Sequence, residues 1–486
     1  MRRALATAAA AAAVGALSGV RRVRRFRVPD EAAPAPSSAE GADVDVDVDV
    51  DAAARRLSEL VRIRTISSRD PGGADVAVFA RFRERLASLY PLLTAALERE
   101  VLGDGALLYR WGSGRDAPPL VLMAHYDVVP VDGQEWREEP FSGRVADGVV
   151  HGRGALDDKG ALVAVAEAVE SLLAEGFTPA RDVYLSFGHD EEVFGTGAQL
   201  AVAALTARGV RPWAVLDEGG AVVSGVFPGV AGRIAVVGLA EKGLLDLELT
   251  TEDAGGHAAS PTPRGATARL ARAVVRLDER PFPARLDEVL LAMVDTVGRR
   301  AVLPYRALFA HTAALQPLLA AVLARSSPQG NALVRTTVAV TQLEGSSASN
   351  VLATRARAVA NIRIALGETV ASTVERVREV VDDPRVALRV LHGNDPSPVS
   401  RADNEAYALV ARSIRSVYPD ATVTPYVMVQ ASDARHFAQI SDSVYRFMPF
   451  DLTADELAAI HAADERLPVA ALGRGIEFYR SLIRGC

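Results

Sequence analysis

A chain of 486 residues exceeds what one hydrophobic core fills, because single cores stop growing near ~250–300 residues, so two domains are expected. With 49% hydrophobic and 24% charged residues the composition is that of an ordinary soluble globular protein, and a net charge of -7 with Lys and Arg spread along the chain argues against a nucleic-acid partner. The single cysteine, Cys486, is the last residue, which excludes a disulfide framework and leaves any metal site to histidines and carboxylates.

The N-terminus, MRRALATAAAAAAVGALSGVRRVRRFRV, sets an apolar stretch, residues 4–20, between arginine clusters. It reads as a signal sequence or short membrane anchor, so the expected location is exported or membrane-anchored. The arginines at 21, 22, 24, 25 and 27 oppose a clean export reading, because positive flanks tend to stay cytoplasmic. A start codon chosen too early, in a cytoplasmic protein, is the alternative. Next comes PDEAAPAPSSAEGADVDVDVDVD, read as a disordered tether, so residues 1–51 are set outside the fold.

From 52 to 242, strand-length apolar runs alternate with helical patterns: PLVLMAH, GALVAVAEAVESLLAEG, DVYLSFGHD, GAQLAVAALTARG and PWAVLDEGG. Continuous apolar runs between amphipathic helices predict an α/β domain with a mostly parallel sheet covered on both faces. From 243 to 394 the pattern changes to LLDLELT, VRTTVAVTQLE and ARAVANIRIAL, with helical segments near 264–279 and 368–382. This predicts a smaller inserted α+β domain with an antiparallel sheet. Residues 395–486 resume the α/β pattern with NEAYALVARSIRSVYP and GRGIEFYRSLI, which makes the larger domain a split one.

In open α/β sheets functional groups gather beyond the carboxyl ends of strands. Four polar clusters fall at such predicted ends: His125 with Asp127, Asp157 with Asp158, Glu191 with Glu192, and Glu218; His461 lies in the C-terminal segment. Each cluster alone is weak, since paired acids are usually a solvated helix start. Gathered on one sheet edge, imidazole and carboxylate ligands without thiolate suit zinc or a similar divalent ion, and Asp157 is expected to bridge two of them. Asp127 is placed to accept the second ring N–H of His125. Glu192 is read as a ligand and Glu191 as the base that takes a proton from water. From the inserted domain, His257 in a Gly-rich loop is a candidate oxyanion donor, Arg363 a candidate partner for a substrate carboxylate, and Asn350 a further polar contact.

The motifs MAHYDVVP, GRGALDDKG, GHDEEVFGTGAQ, LDEGG, GGHAASP, SNVL, SDARHF and IHAADERL, in this order, resemble the co-catalytic zinc peptidase family that contains carboxypeptidase S, aminoacylase, acetylornithine deacetylase and succinyl-diaminopimelate desuccinylase. GHDEE, GTGAQ, VLDEGG and AEKG look most like the branch of carboxypeptidase S and the N-fatty-acyl-amino-acid hydrolase/synthase. The resemblance implies two zinc ions per chain, replaceable by cobalt or manganese, one held by His125, Asp157 and Glu218 and the other by Asp157, Glu192 and His461. It also implies Glu191 as general base, Asp127 behind His125, a cis peptide after Asp157 that leaves Asp158 outside the ligand set, and His257 as oxyanion stabiliser. Asn350, Arg363 and Arg435 fall in segments that contact substrate in relatives. The implied reaction is cleavage of an amide beside a free carboxylate, in a carboxypeptidase, a dipeptidase or an N-acyl-amino-acid hydrolase or deacetylase; a non-catalytic metal- or peptide-binding relative is the contrasting reading. A long apolar stretch, residues 281–333, sets the chain apart from small-substrate members and puts the usual lid-to-lid homodimer in doubt. It is either buried helical core or an apolar wall for a large acyl group.

Overall fold

A computed structural model describes Arg22, Phe26 and residues 48–70, 72–225, 227 and 229–486. The expected anchor at 4–20 lies outside them, and no helix among the described residues is long and apolar enough to cross a membrane. The fold begins a little earlier than the expected end of the tether at residue 51. Asp49 accepts the Ala52 N–H at 2.8 Å and starts the helix Val50–Val61. The end of the Asp/Val run is therefore a helix cap, because Leu57, Leu60 and Val61 behind it bury completely.

The chain then forms β1 (Glu98–Leu102), β2 (Ala106–Trp111), β3 (Leu120–His125), β4 (Val145–Ala146), β5 (Val149–His151), β6 (Val183–Gly188), β7 (Ala214–Ser224) and β8 (Arg233–Glu241). β9 (Gly243–Glu252), β10 (Gly256–His257), β11 (Thr337–Glu344), β12 (Val351–Leu352), β13 (Arg355–Ile364) and β14 (Ala387–Asn394) follow, and β15 (Thr422–Met428), β16 (Val444–Leu452) and β17 (Arg466–Pro468) end the series. The central sheet has the order β1-β2-β6-β3-β7-β16-β8-β15. Its middle strands β6, β3, β7 and β16 run parallel, while β1 and β2 close one side antiparallel. β3 and β6 are buried at every position, which is why LVLMAH and VYLSFG carry unbroken apolar runs. The helix Lys159–Ala174 is buried on nearly all sides between this sheet and the C-terminal helix Val469–Gly485.

The second sheet, β11-β13-β9-β14, is wholly antiparallel. Leu245, Leu247, Leu249, Ala358, Ala360 and Ile362 turn one face toward the helices Ala266–Glu279 and Val370–Val381 and make a core of their own. Only Lys242 separates β8 from β9 where the chain crosses from one sheet to the other. A Cβ on Gly243 would meet the Asn394 carbonyl oxygen at 2.6 Å, so only glycine lets the outgoing and returning connections pass each other.

The stretch 281–333, placed by its sequence within the inserted domain, is mostly helical, and from Leu286 on it joins the core of the central sheet rather than that of the antiparallel one. The helix Glu288–Gly298 lies against β15, and Val289, Leu290, Met293 and Val297 join the core of the central sheet. β15 is an edge strand, and a covering helix hides its unpaired side.

Candidate metal centre

β3 ends at His125, and the parallel sheet delivers that imidazole to the rim with 2% of the residue exposed. Its Nε2 lies 3.0 Å from Asp157 Oδ1 and 3.7 Å from Glu218 Oε1. On the other side of the ring, Nδ1 faces two acceptors of Asp127, its backbone carbonyl at 3.1 Å and its carboxylate Oδ1 at 3.3 Å. An ionised carboxylate only accepts hydrogen bonds, so Asp127 holds the proton on Nδ1 and leaves the Nε2 lone pair for a cation. The same Asp127 carboxylate accepts the backbone N–H groups of Glu191 at 3.2 Å and Glu192 at 3.1 Å. One buried acid thus orients the histidine and ties down the turn Glu191–Val193 that follows β6.

Asp157 joins the two halves of the site. Its Oδ1 faces His125, and its Oδ2 lies 3.1 Å from His461 Nε2, which is itself 3.0 Å from Glu192 Oε2. The sets His125/Asp157/Glu218 and Asp157/Glu192/His461 share this one carboxylate, which offers one oxygen to each imidazole. The donors form a continuous cluster, since donor atoms of His125, Asp157 and Glu192 lie within 4.8 Å of one another, as do those of His125, Asp158 and Glu218. Asp158, joined to Asp157 by a cis peptide bond, already accepts the His125 backbone N–H at 3.2 Å.

Electrostatics asks for a cation here. Burial pushes the carboxyl pKa values of Glu191, Glu218, Glu192 and Asp158 up, and the negative charges of their neighbours push them further. Asp157 goes the other way: burial opposes its charge, but hydrogen bonds from His125 and His461 hold it low. His461 is pushed up to about 10 by hydrogen bonds to Asp157 and Glu192. Among the described residues, Glu191 Oε1 and Asp158 Oδ1 have no hydrogen-bond partner. Five crowded acids against two imidazoles, all oxygen and nitrogen donors, fit divalent cations. Cys486 contributes nothing to the cluster, as its thiol donates to the Ile483 carbonyl in the last helix.

Two placements differ from the sequence expectation. Glu218 does not follow a strand end: β7 runs on to Ser224, and the pairing with β16 slips between Asp217 and Gly220. That irregularity, with Gly219 at a φ of 135°, turns Glu218 toward the rim from within the strand. Asp157 does not follow a central strand either. β5 belongs to the small sheet β17-β5-β4, and the Asp157–Asp158 pair enters from the turn before the helix Lys159–Ala174.

The candidates of the inserted domain divide. Arg363, half-buried on β13, lies within the electrostatic reach of Glu241, Glu191 and Arg435, which brings the two domains to one place. Arg435 donates to the Ser432 carbonyl at 2.6 Å and stacks 5.4 Å above the ring of Phe194, two residues beyond Glu192. His257 and Asn350 are exposed and tied to each other, through the Ala258 N–H on the Asn350 carbonyl at 3.0 Å and the register of β10 on β12. His257 Nδ1 accepts the Ala259 N–H at 3.0 Å, and no contact links this pair to the acid cluster. Gln134 lies outside the motifs, and Arg153 and Glu465 lie within GRGALDDKG and IHAADERL without a role read for them; the fold places all three behind the loops of Asp157 and His461.

A parallel sheet with a rim of histidines and carboxylates that could hold a cation, faced by an inserted antiparallel domain, is an arrangement suited to a metallohydrolase of the peptidase kind. The chain belongs to peptidase family M20/M25/M40, whose model matches residues 121–485. It is 34% identical over 439 residues to "Probable carboxypeptidase S-like 2" of Dictyostelium discoideum, covering 89% of this chain and 84% of that protein. It is 35% identical over 434 residues to "N-fatty-acyl-amino acid synthase/hydrolase PM20D1" of Xenopus tropicalis, covering 88% and 84%. Among solved structures, the M20 family metallo-carboxypeptidase Sso-CP2 of Sulfolobus solfataricus superposes with a TM-score of 0.67 at 18% identity, over 89% of this chain and 98% of that one. Human carnosine dipeptidase 1 follows the same fold with a TM-score of 0.62 at 16% identity, over 90% and 96%. The resemblance carried by the sequence motifs and the branch it pointed to are therefore matched, and the protein is a hydrolytic enzyme.

Proposed function

We propose that the protein is a two-zinc amidohydrolase that cleaves an amide bond whose nitrogen belongs to an amino acid with a free carboxylate. The observation that carries this reading is Asp157, one carboxylate with an imidazole at each oxygen, 3.0 Å from His125 and 3.1 Å from His461. Bound divalent ions in these two sets would supply a polarised carbonyl and a more acidic water. Cobalt or manganese would fit the same donors.

Within this reading Glu191 is the base. Its buried carboxylate sits beside Glu192 with Oε1 unpartnered, so it can accept a proton from the attacking water and return it to the departing amine. Asp127 keeps His125 in the ligating tautomer and fixes the turn that aims Glu191. Arg363 grips the substrate carboxylate, with Arg435 beside it, because a guanidinium fork matches a carboxylate. His257 and Asn350 would serve the oxyanion and the substrate backbone from the exposed β10–β12 ribbon.

The names of the two curated relatives, one carboxypeptidase-like and one an N-fatty-acyl-amino acid synthase/hydrolase, support this substrate class. The test is a panel of N-acyl amino acids of increasing chain length together with Gly-X dipeptides, assayed with and without chelator. Chelator-sensitive turnover that requires the free carboxylate is the expected result. Loss of turnover on methyl esterification of the substrate would place Arg363 at work, whereas equal turnover of acid and ester would contradict the substrate class.

A further inference from the structure

His461 is held by no long element. It lies in the loop between the short helix Ala454–Ala458 and β17, with a left-handed φ of 59°, and its side chain is half exposed. Its partner Asp157 sits on a different loop, so some connection must set the distance between them.

That connection is a chain of hydrogen bonds that starts buried at Glu465 and reaches the surface at Gln134 and His461. Glu465, fully buried, uses Oε1 to accept the backbone N–H groups of Leu156 at 2.9 Å and Asp157 at 3.0 Å. Its Oε2 takes Arg153 Nη1 at 2.5 Å. Arg153 Nη2 donates to Gln134 Oε1 at 2.9 Å, and Gln134 Nε2 donates to the backbone carbonyl of His461 at 2.8 Å. Trp136 Nε1 also donates to Gln134 Oε1, at 3.1 Å. With two donors on its oxygen, the Gln134 amide can present only its NH2 to His461. A buried ion pair such as Arg153–Glu465 is weak as a source of stability, since desolvation cancels much of its attraction. Here the side-chain hydrogen bonds of the pair lead on one side to the backbone of Leu156 and Asp157 and on the other, through Gln134, to His461.

We propose that Gln134, at the end of this Arg153–Glu465 relay, is a positioning residue that fixes His461 opposite Asp157 and so sets the affinity of the second metal position, with the His125/Asp157/Glu218 position left unaffected. The inference rests on the two-ion reading. The asymmetry follows from the connections: of the two loops that carry His461 and Asp157, Gln134 bonds directly only to that of His461, which belongs to one set, while the Glu465 end of the relay reaches Asp157, which serves both.

The test titrates Zn2+ into the metal-free full chain against a chromophoric chelator, for the wild type, Gln134→Ala and Gln134→Glu. Gln134→Glu keeps the oxygen that Arg153 and Trp136 use and removes the donor to His461. In both variants the second equivalent should bind ~10–100-fold more weakly, as is usual for outer-shell partners of a metal ligand, with the first equivalent and the melting temperature of the metal-free protein unchanged. Wild-type affinities for both equivalents would overturn the proposal, and so would parallel weakening of both equivalents with a lowered melting temperature, which would mean a structural role only. A wild type that takes up a single zinc would instead overturn the two-ion reading beneath it.

Discussion

Glu191 and Glu192 are neighbours in sequence with different environments. Glu192 faces His461 at 3.0 Å, while Glu191 is buried with one oxygen unpartnered and its backbone N–H on Asp127. The first geometry suits a ligand and the second a proton carrier, so Glu191→Gln should lower kcat by ~10²–10⁴-fold with zinc content unchanged. Steady-state kinetics with metal analysis on the same sample checks this, and a variant of normal kcat would remove Glu191 from the chemistry. At this scale much was legible. His125 and the Glu191–Glu192 pair stand at the ends of β3 and β6 because unbroken apolar runs announce buried parallel strands. Glu218 was legible as a residue but not as a position, since a register slip inside a strand leaves only a Gly-Gly pair as its trace. Gln134 was not legible at all, and Glu465 was legible only as a member of IHAADERL, without its role. Their work is done on backbone groups of residues distant in sequence, and a backbone N–H imposes no requirement on the side chain it carries.

Among the elements, the helix Glu288–Gly298 shows what an apolar pattern leaves open. Its sequence announces a buried helix, but the same residues suit a ligand wall or a sheet cover, and only packing against β15 decides between them. Leu290 is 1% exposed in the shared core, so Leu290→Ala should cost ~2–5 kcal/mol of stability through the cavity it leaves. Equilibrium unfolding measures that cost. If the helix only covers the sheet, the preference for acyl length stays as in the wild type; a shifted preference would restore the wall. The outer face of β11-β13-β9-β14 makes a pH prediction. Glu248 lies under Arg357 at 2.6 Å and Arg389 at 2.9 Å, and hydrogen bonds from Arg389 and Arg357 lower its pKa to about 2 from an ordinary 4.5. A carboxylate lowered on folding stabilises above its unfolded value and loses that contribution as the pH falls toward the folded one. The arginines are themselves partly exposed, so the contribution is about 1 kcal/mol at most. Urea unfolding of wild type and Glu248→Gln should therefore differ most above about pH 4.5 and converge toward about pH 2; a constant difference across that range would contradict the assignment.

At the scale of the whole molecule, two sheets with separate cores flank the proposed site. On the proposed reading the central sheet would supply the cation ligands and the base, and the inserted sheet brings Arg363 within electrostatic reach of Glu191. The split order of the chain was visible in the switch from unbroken to alternating apolar runs near Gly243. The single-residue crossover and the glycine beside the Asn394 carbonyl were not, because they answer a close approach between two connections rather than a local pattern. The account stands or falls on Asp157 serving two ions at once. The most direct measurement is the zinc-to-protein ratio of wild type and Asp157→Ala, each saturated and then freed of excess metal. Two zinc ions per wild-type chain, with both lost or sharply weakened together in the variant, is the predicted result. A single ion in the wild type, or two ions retained without Asp157, would contradict it.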